Sequence, residues 1–149
     1  MAGGAVPVEV VPAIDDLRAA CVALEVESDQ RRFVSPVVDY LALCERPGSP
    51  WRPFAVLSGD LVVGFVMHGI DPDDDSAWIG GLVIDRTRQR QGIGRAVVDL
   101  LVARAAAEGR SSALSYEPAN AGAKALYALA GFIETGETEG DEIVARRPL

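Results

Sequence analysis

In the first half of the chain, the hydrophobic pattern predicts a strand, two helices, a β-hairpin and a further strand. Valines alternate with other residues over Val6–Val11, as is typical of a half-buried strand. Apolar residues recur at helical spacing over Ile14–Val26 and over Gln30–Glu45, where a kink or a restart is expected near Pro36 because proline lacks an N–H. The strands predicted next are Phe54–Leu57, Leu61–Ile70 and Ala77–Ile84.

The second half contains the clearest helix of the sequence. Apolar residues keep one face of Gly94–Glu108, and Gly109 follows as a typical helix end. The elements predicted after it are a short strand, a helix and two closing strands, at Ala113–Tyr116, Asn120–Ala130, Phe132–Thr135 and Ile143–Ala145. The sequence shows no linker and no internal repeat. We therefore expect one domain of the α/β (α+β) class over residues 1–149.

The charge balance and the apolar runs argue against several classes of protein. Acidic residues number 22 and basic residues 14, a net charge of −8, whereas a protein that coats nucleic acid needs a basic face. The charge-free run Leu61–Ile70 is shorter than the roughly 20 residues that cross a bilayer. Met1–Pro7 lacks the basic and apolar regions of a secretory signal. The sequence thus predicts a cytoplasmic protein with neither nucleic acid nor a membrane as its partner.

Cysteine and histidine usage argues against a metal site. Cys21 and Cys44 lie in helix-like sequence with no further Cys or His at metal-ligand spacing, so two reduced thiols are expected. His68 is the only histidine, and it alternates with apolar residues of a predicted strand. We therefore expect no metal and no Ser-His-Asp triad.

The loop between Ala77–Ile84 and the helix after it combines glycines with arginines. Gly92 and Gly94 let the main chain approach a ligand closely, because glycine has no Cβ. Backbone N–H groups and the positive end of the helix macrodipole meet here, which favours an anion. The segment 85–95 has four arginines against one aspartate, a local charge of +3 in a chain of charge −8. These features predict a ligand that carries phosphate.

Two other phosphate-binding loops fit this segment less well. A P-loop requires a Gly-Lys pair followed by Ser or Thr, and the sequence has no Gly-Lys pair. A Rossmann fingerprint requires glycine or alanine three positions after Gly94, where Val97 stands. Glu117 could imitate the acid that binds the ribose, but the roughly 55 residues after Gly94 are too few for a second mononucleotide half. A dinucleotide site stays the weaker alternative.

The glycine loop and a second motif resemble one family. Gln89-x-x-Gly92-x-Gly94 resembles the Q/R-x-x-G-x-G/A loop with which the GNAT N-acetyltransferase superfamily binds the pyrophosphate of acetyl-CoA. Asn120–Phe132 resembles that family's second acetyl-CoA motif, N-x-x-A-x-x-L-Y-x-x-x-G-F. The resemblance covers nearly the whole chain and is closest to the bacterial diamine and polyamine acetyltransferase-like branch. The segments that carry this finer resemblance are Val63–Gly69, Leu114–Asn120 and Thr135–Glu137.

The resemblance implies a fold, a co-substrate and most of a site. The family fold is a mixed sheet of about six or seven strands, splayed between strands 4 and 5 and flanked by about four helices. Acetyl-CoA would be the co-substrate, bound by the glycine loop and by backbone groups of the fourth strand, and a homodimer is an assembly common in the family. The residues so implied in acetyl-CoA binding are Leu82, Val83, Ile84, Gln89, Arg90, Gln91, Gly92, Ile93, Gly94, Arg95 and Asn120.

The sequence departs from the family pattern at two places. Arg90 stands where the family commonly has glycine, which is expected to keep phosphate binding but to change the shape of the loop. Gly80 and Gly81 stand where the related branch often has larger side chains. Because glycine weakens a strand, this pair predicts a bulge that separates the fourth strand from Ala113–Tyr116. The second departure bears mainly on the choice of acceptor.

Tyr127 and Asn120 lie seven residues apart, two helical turns, and so project from one helix face. Tyr127 matches the family tyrosine that protonates the thiolate of coenzyme A. A phenol with an ordinary pKa of about 10 keeps its proton at neutral pH and can donate it to a thiolate whose thiol has a pKa near 8.5. Asn120 could cap the helix, contact the cofactor, or do both.

Carboxylates supply candidates for a base and for acceptor binding. Glu117 at the end of the fifth strand is the candidate base, because an ammonium group must lose a proton before it can attack. Glu25, Glu27 and Asp29 lie in the segment that shapes the acceptor pocket in the family, and they could hold a cationic amine. A solvated connection between two helices explains these three acids equally well.

The sequence therefore predicts an acetyl-CoA-dependent N-acetyltransferase that acts by direct transfer in a ternary complex. Its expected partner is a small molecule with a primary amine, a diamine or polyamine before others, since the chain outside the arginine loop is strongly acidic. Alternatives are an N-acetyltransferase for a protein N-terminus, an amino acid or an aminoglycoside. A non-catalytic acetyl-CoA-binding module is the alternative from another class of function.

Overall fold

The computed structural model describes residues 7–149. Within this range the chain forms a seven-stranded sheet with helices on both faces. The strands are β1 (Glu9–Pro12), β2 (Trp51–Ser58), β3 (Leu61–Ile70), β4 (Ala77–Ile84), β5 (Ser112–Tyr116), β6 (Ile133–Glu139) and β7 (Glu142–Arg147). The helices are α1 (Asp15–Val22), α2 (Val37–Glu45), α3 (Ile93–Ala107) and α4 (Ala121–Leu129).

The sheet is mixed and interrupted at its centre. Strands pair in the order β1-β2-β3-β4-β5-β7-β6, and the β4–β5 pair is parallel while the other pairs are antiparallel. The β4–β5 ladder joins Ala77 to Ser112 and Trp78 to Ala113. Both strands continue well beyond this ladder, so they separate and leave a cleft. The prediction of a mixed sheet of about six or seven strands, splayed between strands 4 and 5 and flanked by about four helices, is confirmed by seven strands and four helices in the described residues.

A bulge in β4 accompanies the cleft. The register between β3 and β4 shifts between Phe65 and Met67, so that two residues of β4, Gly81 and Leu82, lie opposite one residue of β3. Gly81 has φ +57, in the left-handed region that glycine adopts without steric cost. A bulge bends its strand and re-aims the groups that follow it. The bulge predicted from the glycine pair is therefore present.

The core has two apolar layers, one on each face of the sheet. On one face, Leu101 of α3 packs with Val66 of β3 and Leu114 of β5. On the other face, Leu41 of α2 packs with Phe65 of β3. Because β3 is covered on both sides, its sequence is a nearly continuous apolar run instead of an alternating one.

The predicted helix Ile14–Val26 is too long, since α1 ends at Val22. Beyond the helix, the chain bonds to the loop after β4. The Glu25 N–H donates to the Asp85 carboxylate over 3.1 Å, and the Glu25 carbonyl accepts from the Arg86 N–H over 2.6 Å. These tertiary bonds take the place of further helical bonds.

The predicted helix Gln30–Glu45 is also too long, and α2 begins only at Val37. Residues Ser28–Gln30 form a single 3-10 turn, and Pro36 with ψ 146 is the N-cap residue. Proline disfavours the helical conformation in the residue before it, so a helix cannot easily run through this point. The restart near Pro36 is confirmed, and the helical stretch before it is wrong.

The second strand is longer than the predicted Phe54–Leu57, because β2 already begins at Trp51 and includes Pro53. The Pro53 carbonyl accepts from the Ala13 N–H over 3.0 Å, just past the end of β1. A proline is tolerated here because the N–H it lacks would point to the side on which the neighbouring strand has ended.

Three other strands differ at their ends. β1 begins at Glu9, and Val6 of the predicted strand lies outside the described residues. β6 and β7 both extend beyond their predicted bounds, because they pair with each other in an edge hairpin. All residues of β6 are exposed. Its sequence therefore has no alternation of apolar and polar residues that would have predicted its full length.

We expect Leu101→Ala to lower the free energy of unfolding by about 2–5 kcal/mol. Leu101 is 2% exposed, so its removal leaves a cavity between α3 and the sheet. Leu129→Ala is the matched control, because Leu129 is 71% exposed and surface changes usually stay within about 0.5 kcal/mol. Urea unfolding followed by circular dichroism measures both variants, and equal losses would contradict the assignment of α3 to the core.

Candidate active site

A cavity of about 900 Å³ lies where β4 and β5 separate. One side of its wall comes from the end of β4, the loop after it, and the starts of α3 and α4. The other side comes from α2, β2, β3 and the β6–β7 hairpin. The cavity therefore joins the glycine loop to groups from both faces of the sheet.

The glycine loop presents free backbone donors to this cavity. Gly92 is the N-cap residue of α3 with φ +81, and no side chain caps the helix. The first N–H groups of a helix have no acceptor within the helix, and they carry its positive partial charge. Arg90 also has a positive φ of +61, although it has a Cβ. Left-handed residues within a turn can direct neighbouring N–H groups to one side, where they form an anion-binding concavity.

Side chains hold the loop in place. The Gln89 Nε2 group donates to the Ile84 carbonyl over 3.0 Å and to Gln30 Oε1 over 2.8 Å. The loop is thereby fixed both to the end of β4 and to the segment between α1 and α2. The Asp85 carboxylate accepts from the Thr87 N–H, which closes the 3-10 turn after β4. Gln89 thus acts here by positioning the loop.

An arginine beside the loop has an unused donor. Arg88 Nε is buried and has no hydrogen-bond partner among the described residues, while its Nη2 donates weakly to Ser58 Oγ over 3.4 Å. Buried donors are normally satisfied, so this group suits an anionic ligand. The loop, its glycines and this arginine together fit the phosphates of a coenzyme.

Most residues predicted to bind the co-substrate line the cavity. They are Leu82, Val83, Ile84, Gln89, Arg90, Gly92, Ile93, Gly94, Arg95 and Asn120. Gln91 is exposed and is not part of the wall. Arg95 lines the wall, but its guanidinium group is bonded to Asp99 over 3.0 Å. A Cβ added to Gly94 would lie 3.6 Å from the Leu126 side chain of α4, so the start of α3 packs close to α4.

Asn120 is the N-cap residue of α4. Its side-chain oxygen accepts from the Ala123 N–H over 3.1 Å. The side chain therefore has the capping role that the sequence allowed, and the residue also lines the cavity.

Tyr127 of α4 lies half-buried in the cavity wall. Its ring packs between Tyr116 and Phe132, with centroid distances of 5.7 Å and 6.2 Å. Burial, with smaller effects from Tyr40 and Glu142, raises the pKa of the Tyr127 phenol to about 12. The phenol is therefore a proton donor throughout the neutral range.

The far end of the cavity is aromatic, which the sequence analysis missed. Tyr40 of α2, Trp51 of β2 and Trp78 of β4 line it together with Met67. The glycine pair makes room for two of these rings. A Cβ on Gly80 would lie 2.9 Å from the Trp51 ring, and one on Gly81 would lie 3.1 Å from the Tyr40 ring. The missing side chains in β4 were the sequence signal, but the rings that use the space come from distant elements.

Carboxylates also line the cavity, but not those of the α1–α2 segment. Glu117 is in the wall, as are Asp71, Glu139 and Glu142, which the sequence analysis did not single out. Glu142 accepts a short hydrogen bond of 2.6 Å from the Ser115 hydroxyl group. The three acids Glu25, Glu27 and Asp29 are exposed and lie outside the wall. The α1–α2 segment contributes Val26 and Gln30 to the wall instead.

Residues 7–149 contain neither a membrane-spanning helix nor a metal-binding cluster. No helix in this range is long and apolar enough to cross a membrane. The same residues hold no group of three or more His, Cys, Asp or Glu side chains arranged to bind a metal ion. Cys21 and Cys44 are both free thiols.

Known proteins with this fold include enzymes that bind coenzyme A. The ribosomal-protein-S18-alanine N-acetyltransferase from Escherichia coli superposes with a TM-score of 0.65 at 20% identity, covering 95% of this chain and 94% of that chain. A Bacillus subtilis acetyltransferase in complex with CoA superposes with a TM-score of 0.70 at 13% identity, covering 95% of this chain and 97% of that chain. A GNAT family acetyltransferase from Elizabethkingia anophelis with acetyl-CoA bound superposes with a TM-score of 0.66 at 13% identity, covering 95% of this chain and 98% of that chain.

Sequence comparison agrees at the level of the family. No curated protein matches the chain. The model of the acetyltransferase (GNAT) family matches residues 15–132, a range that includes the glycine loop, the cleft between β4 and β5, and Tyr127. The chain therefore belongs to the acetyltransferase (GNAT) family.

Proposed function

We propose that the protein transfers an acetyl group from acetyl-CoA to the primary amine of a small cationic acceptor, with diamines and polyamines as the first candidates. One observation carries the proposal: a protonated phenol, Tyr127, shares a cavity with a loop built to bind phosphate. Family membership supports the acyl transfer, and solved relatives hold CoA or acetyl-CoA.

The wall residues divide into roles for acetyl-CoA. The N–H groups at the start of α3, with Arg88 and Arg90, suit the pyrophosphate. Backbone groups of Leu82 to Ile84 follow the bulge in β4 and have no partner strand on the side of the cleft. The Ile84 carbonyl is bonded to Gln89, and the other groups that face the cleft are free to bond the pantetheine arm and the thioester carbonyl. A hydrogen bond to that carbonyl stabilises the negative charge that grows on it during attack.

The chemistry needs a neutral amine and a protonated leaving group. The amine nitrogen attacks the thioester carbonyl carbon, the C–S bond breaks, and the sulfur takes a proton. Tyr127 is the donor in this proposal, since its phenol keeps its proton at neutral pH and can give it to the sulfur as the C–S bond breaks. Transfer is direct, because neither Cys21 nor Cys44 lines the cavity.

The aromatic end of the cavity suits a cationic acceptor. Faces of Trp51, Trp78 and Tyr40 can attract an ammonium group, with about 0.5–2 kcal/mol for each well-placed ring. The carboxylates of Asp71, Glu139 and Glu142 line the same cavity and add negative charge. A second positive charge on the amine could bind to the carboxylates, and an extended apolar chain could pack against the aromatic rings.

We expect Gly92→Val to weaken acetyl-CoA binding at least about tenfold, a loss of about 1.4 kcal/mol or more. The residue has φ +81 at the start of α3, where a β-branched side chain is strained and blocks the anion site. Gly48→Val is the matched control, with φ +76 and nothing within 4 Å of an added Cβ. Isothermal titration calorimetry measures the affinity, and equal affinities in both variants would contradict the loop assignment.

We expect Tyr127→Phe to lower kcat by about 10²-fold, as loss of a general acid usually does, with acetyl-CoA affinity unchanged. The wild-type kcat should not fall up to about pH 10, because the raised pKa of about 12 keeps the phenol protonated there. Tyr116→Phe is the comparison, since that hydroxyl donates to Glu134 over 2.6 Å and is not free for sulfur. Unchanged turnover in Tyr127→Phe would remove this residue from the acid role.

We expect Gly80→Ala to raise the KM for the acceptor severalfold without changing acetyl-CoA affinity, because its Cβ would displace the Trp51 ring from the wall. The assay measures release of free coenzyme A with putrescine, spermidine, amino acids, aminoglycosides and peptides. Turnover with peptides alone would favour N-terminal acetylation. Binding of acetyl-CoA without turnover of any amine would favour a non-catalytic module.

A further inference from the structure

A carboxylate from the edge hairpin is fixed at the acceptor end of the cavity. Glu142 is the first residue of β7, and its Oε1 accepts from the Ser115 hydroxyl group of β5 over 2.6 Å. The two residues are 27 positions apart in sequence. In the β5–β7 register Tyr116 faces Ile143, so Glu142 lies next to this last pair, at the mouth of the cleft.

The surroundings of Glu142 are those of the reacting groups. Its negative charge contributes to the raised pKa of Tyr127 and, after burial, to that of Tyr40. Glu142 therefore lies within electrostatic range of the acid from α4 and of the aromatic wall from α2. The titratable groups of the wall near Glu142 are Tyr40, Tyr116, Glu117, Tyr127 and Glu139.

We propose that Glu142 is the general base that deprotonates the acceptor amine, and that Ser115 is the residue that positions it. The proposal rests on the acetyl transfer proposed above and assigns a second proton-transfer group in the same cavity. The hydrogen bond from Ser115 occupies Oε1 and leaves Oε2 as a proton acceptor. A carboxylate fixed at one oxygen loses little rotamer freedom when it meets the ammonium group.

The protons balance as follows. The Glu142 carboxylate takes one proton from the bound ammonium group, directly or through one water, and later releases it to solvent. The neutral nitrogen forms its bond to the carbonyl carbon, and the C–S bond breaks as Tyr127 gives its proton to sulfur. The second proton lost by the nitrogen, as the amide forms, restores the phenol of Tyr127.

Glu117 is the competing base, and the structure favours Glu142. Glu117 lies beyond the last paired residue of β5, where its carbonyl accepts from the Asn120 N–H over 2.9 Å and begins the turn into α4. Among the described residues its carboxylate has no hydrogen-bond partner, so nothing fixes its direction. Glu142 has such a partner and lies in the electrostatic field of the proposed acid.

The test compares Glu142→Gln with Asp141→Asn, which removes the same charge from the same hairpin at an exposed position outside the cavity wall. With an alkylamine acceptor at neutral pH, we expect Glu142→Gln to lower kcat by about 10²-fold and Asp141→Asn to change it little. The Glu142→Gln deficit should shrink as the pH approaches the amine pKa of about 10, because the amine then loses its proton unaided. Calorimetry should give unchanged acetyl-CoA affinity in both variants.

Ser115 is tested as a positioning residue. Ser115→Ala should lower kcat severalfold and leave the KM for the amine and the acetyl-CoA affinity unchanged, while Ser115→Thr, which keeps the hydroxyl group, should restore kcat. If Ser115 had only a structural role, Ser115→Ala would change the free energy of unfolding but would not lower kcat selectively at an unchanged KM. Urea unfolding of each variant separates the two explanations.

Three results would overturn the proposal. They are full activity of Glu142→Gln at neutral pH, a deficit that does not change with pH, and a pH-dependent collapse in Glu117→Gln while Glu142→Gln stays active. Failure of the acetyl-transfer proposal itself looks different, because the wild-type protein would then turn over none of the amines. The variants are compared only once the wild-type protein is seen to acetylate an amine. The comparison then either assigns the role of general base to Glu142 or excludes it.

Discussion

Backbone pairing between β4 and β5 stops after two residue pairs, and the whole site depends on that break. An intact sheet separates what lies on its two faces. Here the cleft lets Tyr127 from α4 and Tyr40 from α2 line one cavity. Peptide groups at the break also lack a partner strand, and each buried one left unsatisfied costs about 1–3 kcal/mol. A ligand that bonds these groups is therefore favoured at this point of the sheet.

The glycine loop is strained and is held by contacts from elsewhere. Arg90 keeps a left-handed conformation at a cost of about 1–2 kcal/mol for a residue with a Cβ. Gln89 ties the loop to β4 and to Gln30, and the backbone of Glu25 bonds to the start of the loop. The segment between α1 and α2 is thus fixed to the glycine loop. A substitution in this segment is therefore expected to shift the glycine loop, and a substitution in the loop to shift the segment.

The charges of the cavity are arranged in two parts. The loop after β4 and the first turn of α3 hold four arginines against one aspartate in a chain of net charge −8, and three of them, Arg88, Arg90 and Arg95, line the cavity. Glu139 and Glu142 of the β6–β7 hairpin also line it. In the proposed reaction the arginines would face the anionic coenzyme and the carboxylates would face the cationic amine. The acids of the α1–α2 segment, Glu25, Glu27 and Asp29, are exposed and lie outside the wall.

Sequence alone determined the features that depend on neighbouring residues. The spacing of Gln89, Gly92 and Gly94, the face shared by Asn120 and Tyr127, and the weak point at Gly80-Gly81 all arise from local backbone geometry. Tertiary structure decided which distant groups meet at the cleft. Trp51 fills the space above Gly80, and Ser115 bonds Glu142 across 27 positions. No periodicity records such contacts, because they follow from strand register and from the separation of β4 and β5.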